Sequence, residues 1–357
     1  MGSEKFEGLE EQLSKEREKV DVSAVSFSVR ELVRMYESSE LTIAPSYQRK
    51  YRWTQPVASR FIESVFMGLP IPPIFVATND DFQWEVVDGL QRISTLILYL
   101  SNDPDSRNRV RDSGPFKLSE LETLSQLNSF GYSDLPPSIQ RYFARQPLQV
   151  VALTDKADKS VRFDLFERLN SGAISLTPQE VRTAVYRGEF IEFLEQLADD
   201  KNLKSLLKLQ QANQNDGTAS EQVLKFFAYK NNQVNFKGNV TNFLNDYMES
   251  GQKSFNYTQE RRTFAAAMEF LSSTLDGQAF LRTNTSITPL VQFEACAIAA
   301  GRIIDGGGKP IAPEVDWLND AELVSASTGG TNTRSMLRRR LNRAAVLFGA
   351  EETSDGE

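Results

Sequence analysis

The stretch FQWEVVDGLQRISTLILYL, residues 82–100, changes its hydrophobic period half-way along, and this restricts the fold more than any other feature. Phe82, Trp84 and Val86 alternate with Gln83, Glu85 and Val87, the period-two pattern of a strand. Ile93, Leu96, Ile97 and Leu100 then fall at i, i+3, i+4 and i+7, which is one face of a helix. Only the turn at Asp88-Gly89 separates the two patterns. A strand running this directly into a helix belongs to a layered structure, because neither element buries its apolar side alone.

The neighbouring segments extend the pattern. IFVAT (74–78) reads as a strand joined to the first by TNDD, and PLQVVALT (147–154) as another. SVRELVRMYES is a short amphipathic helix, and LTIAPSYQRKYRW is extended or looped around Pro45. Thr54 and Pro56 open a helix with Val57, Phe61 and Val65 on one face, ended by Gly68 and Pro70. Residues 101–115 form a charged insertion. From Ser160 onward helical patterns dominate, among them PQEVRTAVYRGEFIEFLEQLA, EQVLKFFAYK, PLVQFEACAIAAGRII and TRSMLRRRLNRAAVLF. With no repeat of fixed period, a solenoid is not expected. The expected class is α+β: a charged lead-in over 1–25, frayed or disordered, a small mixed lobe over 26–158, an α-helical lobe over 159–349 and an acidic tail over 350–357.

Composition removes several chemistries. The chain has no histidine, so Ser-His-Asp and Cys-His hydrolysis, histidine-ligated zinc and intact HNH nuclease chemistry lack their imidazole. A carboxylate–magnesium site stays open. Cys296, the single cysteine, sits in the apolar run LVQFEACAIAA and reads as core. No apolar run spans a bilayer and the N-terminus lacks the order of a secretory signal, so a cytoplasmic protein without membrane contact is expected. A net charge of −8 argues against coating nucleic acid, although two local clusters stand out. One holds Arg49, Lys50 and Arg52 among Tyr47, Tyr51 and Trp53; the other holds Arg334, Arg338, Arg339, Arg340 and Arg343.

At VVDGLQRISTL the junction would aim free helix N–H groups out of the sheet edge, where phosphate is the natural guest. The dipole supplies only about 0.3 to 1 kcal/mol at an exposed site, so Arg92, with charge-assisted bonds of roughly 1.5 to 3 kcal/mol each, would have to supply more. The plain structural alternative is an Asp-Gly turn with Asp88 and Arg92 paired at i, i+4, and spacing does not choose between the two. In PSYQRKYRW, Gln48 and Arg49 could grip phosphate or sugar oxygens while a tyrosine or the tryptophan stacks a base, or the aromatics could be core. In FERLNSGAISLTPQEVR, Thr177, Pro178 and Glu180 form a capping box and Asn170 with Gly172 suit a helix end, but Arg182 has no such explanation.

Taken in order and spacing, PSYQRKYRW, FIESVFMGLPIPPIFV, VVDGLQRISTL and FERLNSGAISLTPQEVR resemble the N-terminal domain family of GmrSD-type modification-dependent restriction systems, over roughly Leu41 to Phe190. EQVLKFFAYKNN and FLNDYMES are similar to that family's helical continuation. The resemblance implies a ParB/sulfiredoxin-like first lobe and an Asp-Gly-Gln-Gln-Arg motif for nucleotide binding and hydrolysis in phage defence. Asp88, Gly89, Gln91 and Arg92 match that motif, Tyr47, Gln48 and Arg49 match its upstream partner, and Leu90 replaces the first glutamine. Sulfiredoxin chemistry would need a cysteine at the phosphate loop, which this sequence lacks.

The resemblance implies a nucleoside triphosphate and magnesium as cofactors, with hydrolysis gating DNA recognition or a partner nuclease or defence subunit. In that reading Arg92 and Arg49 bind phosphates, Gln48 and Gln91 orient phosphate or water, and Asp88 holds magnesium or Arg92. Gly89 and Thr95 belong to the helix start that cradles the anion, and Tyr47, Asn170 and Arg182 complete the nucleotide contacts. A second reading is a non-enzymatic DNA sensor or assembly subunit using Arg52, Arg338, Arg339 and Arg340, with a homo-oligomer also open. A metal nuclease at Asp88 is third.

Overall fold

The computed structural model describes residues 2–18, 21–43, 51–78, 81–111, 114, 116–153, 163, 168, 177–186, 188–214, 216–314 and 316–351. The chain divides into two units, Met1–Ser175 and Leu176–Glu357. The division therefore falls some seventeen residues later than the sequence suggested.

The first unit is mixed α and β, as expected. It opens with α1 (Gly2–Glu18), so the charged lead-in is a helix, and continues with β1 (Val22–Ser28). That strand begins inside the segment assigned to the lead-in. Its alternation was hard to read because small serines separate the apolar residues and much of it stays exposed. Then come α2 (Val29–Glu37), β2 (Leu41–Thr42), α3 (Gln55–Phe66), β3 (Ile74–Thr78), β4 (Trp84–Asp88), α4 (Leu90–Leu100), α5 (Pro104–Val110), α6 (Pro137–Ala144) and β5 (Pro147–Leu153). The charged insertion thus contains a short helix, with Asp103 accepting from the Asp105 and Ser106 amides.

These strands form one sheet in the order β1-β5-β3-β4-β2. β1 runs antiparallel to β5, β5 parallel to β3, β3 antiparallel to β4, and β4 parallel to β2. Leu32, Val33, Ile62, Val65, Ile93, Leu96 and Ile97 from α2, α3 and α4 share a core with Ile74, Val76, Val86 and Val150. Two expected core positions lie outside it: Val57 is exposed on α3, where Ala58 and Ile62 are buried instead, and Phe82 precedes its strand at a positive φ. The β3–β4 register shifts between Phe75, opposite Asp88, and Val76, opposite Val86. The resulting bulge at Val87 bends the strand just before the Asp-Gly turn.

The second unit is helical: α7 (Pro178–Val185), α8 (Glu189–Ala198), α9 (Lys201–Leu206), α10 (Thr218–Asn232), α11 (Val240–Lys253), α12 (Tyr257–Thr274), α13 (Leu290–Asp305), α14 (Ala321–Ala326) and α15 (Arg334–Leu347). The single helical pattern expected over 178–198 is split at Gly188, whose φ of +126° does not continue a helix. Phe226, Phe227, Phe264 and the buried, unpaired Cys296 are core, as read for the cysteine. Burial in apolar surroundings pushes the Cys296 thiol well above its ordinary range, which keeps it unreactive. Among the described residues no helix is long and apolar enough to cross a membrane.

Candidate functional site

The bulge delivers Asp88 to the end of β4 with its side chain 43% exposed. Gly89 then turns the chain at φ +100°, ψ 12°, and a Cβ there would meet Ile74 Cγ1 at 3.1 Å. The left-handed backbone favours glycine, and a Cβ would press on the Ile74 side chain, which would have to give by a few tenths of an ångström. α4 starts at once, closing its first bond from Ile93 N to the Gly89 carbonyl at 2.9 Å. Having no side chain, Gly89 offers no cap to the amides of the first turn. In the same unit Ser28 caps α2 and Asp103 caps α5 with side-chain oxygens. The start of α4 keeps its donors and its partial positive charge.

Arg92, whose side chain is 12% exposed, is held on three sides. Nη2 donates to Asp88 Oδ2 at 2.7 Å, and Nη1 donates to the carbonyls of Pro73, at 3.1 Å, and Pro72. The i, i+4 pair considered from the sequence is therefore present, and it forms one side of a clamp on the loop between α3 and β3. An arginine has five N–H donors, so this clamp leaves Nε and one Nη2 hydrogen for another acceptor.

Gln91 has a different task from the one its sequence position suggested. Its Oε1 accepts from the backbone amides of Arg52, at 2.9 Å, and Trp53, at 3.2 Å. That oxygen fastens the 51–53 segment to α4, leaving Nε2 as the group able to meet a ligand. Arg52 is thereby seated beside the helix start with its side chain exposed. Thr95, assigned to the anion cradle, is corrected to an internal residue: it is 0% exposed, donates to the Gln91 carbonyl at 2.8 Å and meets Tyr51 Oη at 3.0 Å. Tyr51, an aromatic of the first basic cluster in the sequence, packs against the hydrophobic core. Its ring lies 5.3 Å from the Arg111 guanidinium carbon; burial raises its phenol pKa, opposed by the Thr95 hydrogen bond and the Arg111 charge. Tyr47, Gln48, Arg49 and Asn170 lie outside the described residues.

Arg182 is corrected as well. It is 1% exposed in the second unit, where Nη1 donates to Glu221 Oε2 at 3.0 Å and Gln179 Oε1 at 3.2 Å, and Nε donates to Asn245 Oδ1 at 2.9 Å. It ties α7 to α10 and α11, an explanation that only the tertiary fold supplies. Arg340 too is buried and not a nucleic-acid contact: it is 2% exposed and pairs with Glu294 at 3.1 Å. Arg338 and Arg339 stay exposed, the latter 3.5 Å from Glu322. Thr177 and Glu180 form the expected capping box at α7, with Glu180 N to Thr177 Oγ1 at 3.2 Å and Thr177 N to Glu180 Oε2 at 2.7 Å.

Among the described residues no group of three or more acidic or cysteine side chains could hold a metal ion. A magnesium ion at Asp88 would take most of its ligands from water and phosphate, a common arrangement for that ion.

The junction from Asp88 to Arg92 and the capping box at Thr177 both fall within residues 29–187, which match the family profile of the GmrSD restriction endonuclease, N-terminal domain. Residues 29–187 belong to that family. No curated protein matches the chain. The GmrSD-type domain thus begins at α2, takes in β2 to β5 and reaches the end of α7, and domains of this kind are modules of restriction systems.

Proposed function

We propose that the GmrSD-type domain binds the phosphates of a nucleoside triphosphate at the junction from Asp88 to Arg92 and, with magnesium, hydrolyses it. Turnover would gate DNA recognition or a partner nuclease within a restriction or phage-defence system. The observation that carries this reading is the uncapped start of α4 beside a guanidinium already fixed in place. Fixing an arginine costs about 2 kcal/mol of rotamer entropy, and here the Pro72, Pro73 and Asp88 oxygens have already imposed that order.

The first-turn amides of α4, Arg92 and Arg52 would hold the phosphates, and Gln91 Nε2 would add a donor. Asp88 orients Arg92 and offers its second oxygen to a hydrated magnesium, which when bound neutralises phosphate charge. Leu90, where the family motif has glutamine, packs against the hydrophobic core and supplies no polar contact. The reading therefore rests hydrolysis on fewer polar groups than binding.

Titration of the whole chain with each nucleoside triphosphate and magnesium tests this directly. Arg92→Ala is expected to weaken binding at least tenfold. Because Arg92 also clamps a loop, thermal melting and the exposed variant Arg52→Ala accompany it, the latter weakening binding without changing the melt. Unchanged affinity in both variants, or no binding by the wild type, overturns the proposal.

A further inference from the structure

A second cationic surface lies in the helical unit, outside the GmrSD-type domain. Residues 222–245 and 323–350 contain no aspartate or glutamate, in a chain with 48 acids and a net charge of −8. The fold sorts the cations of these two segments by burial. Lys225, Lys230, Arg340 and Arg343 pair with carboxylates contributed from elsewhere in the unit. Lys237, Arg334 and Arg338 remain exposed, and the exposed Arg339 lies 3.5 Å from Glu322.

The two segments meet. Arg334 Nε donates to the Phe236 carbonyl at 2.6 Å, and Gly238 stands against the Asn332 carbonyl, which an added Cβ would approach at 3.4 Å. Lys237 is thus brought beside the start of α15, where Arg334 and Arg338 follow one helical turn apart on one face. Neither Lys237 nor Arg338 has an ion pair among the described residues. Val234 stands 87% exposed in the turn that leads to Lys237.

We infer that this surface docks double-stranded DNA. Three exposed cations without a carboxylate partner among the described residues, Lys237, Arg334 and Arg338, suit a phosphate backbone. The neighbouring aromatic rings, Phe236 and Phe243, are buried, so the surface offers no platform for stacking single-stranded bases. A projecting turn tipped by an aliphatic side chain fits the DNA major groove, which admits such contacts, whereas the narrow major groove of an RNA duplex does not. The inference does not depend on the phosphate site at Asp88–Arg92.

The test is a fluorescence-anisotropy titration of the whole chain with a DNA duplex of about two helical turns, over a range of salt. It is run with and without a nucleoside triphosphate and magnesium. Loss of one phosphate contact lowers the slope of log affinity against log salt by about 0.9. Lys237→Ala and Arg338→Ala are each expected to produce that loss with unchanged melting and unchanged nucleotide affinity. Val234→Ala should weaken binding and leave the slope alone. An unchanged slope in both charge variants overturns the inference, as does absence of wild-type DNA binding in every condition. Tighter binding to an RNA duplex or to anionic vesicles than to DNA overturns it too.

Discussion

At the residue scale, Gly89 sets the geometry of the phosphate-site candidate. Its φ of +100° strains any residue with a Cβ, and that Cβ would come within 3.1 Å of the Ile74 side chain. Gly89→Ala is expected to cost about 1 to 3 kcal/mol, the range for a strained backbone position, and chemical denaturation measures it. A cost below a few tenths would mean that the turn relaxes freely. Asp88, Gln91 and Arg92 were legible in the sequence as a group, since spacing alone put them at the strand-to-helix passage. Their separate tasks were not. Gln91 Oε1 turned to the amides of Arg52 and Trp53 and Arg92 Nη1 to the prolyl carbonyls because those acceptors and donors arrive from distant segments.

At the element scale, α3, α6, α8, α10 and α13 begin without a side-chain cap as α4 does, and α4 differs in having the fixed Arg92 guanidinium in its first turn. Thr177 caps α7 and also donates to the Asp216 carbonyl at 2.7 Å, tying the helix start to the segment before α10. Thr177→Ala is expected to lower stability by about 1 kcal/mol, read as a shift of the urea midpoint with an unchanged slope. No measurable shift would show that the capping box contributes little. The box was visible in sequence because a cap is a local, four-residue device. β1 and the break at Gly188 were not, since both depend on which neighbours the chain meets.

Across the whole molecule, the helical unit holds charges in its interior and so responds to acid. Burial alone would raise the pKa of Glu221 above the ordinary 4.5, but Lys225 and Arg182 together hold it lower. The Arg343 hydrogen bonds do the same for Asp320 and the Lys230 hydrogen bond for Asp305, both from an ordinary 3.8. A carboxylate with a lowered folded pKa stabilises the native state fully above its unfolded value and loses that contribution as pH falls through the folded value. The melting temperature is therefore expected to be insensitive to these groups from neutral pH down to about 4.5 and to fall below it. Thermal melts between pH 7 and pH 3 check this, and a rise in stability on acidification would contradict it.

The sequence by itself determined the α+β class, the passage from β4 to α4, the capping box and the exclusion of imidazole chemistry, because periodicity, caps and composition are properties of neighbouring residues. Only the tertiary structure decided which cations face outward. Arg182 and Arg340 looked as available as Arg338 in the sequence, yet each is buried against a carboxylate or amide from another helix. Lys237, unremarkable in the sequence, comes to the surface beside Arg334. A lone charge is costly inside a protein and cheap at its surface, so its place follows from partners that folding brings together across long stretches of chain.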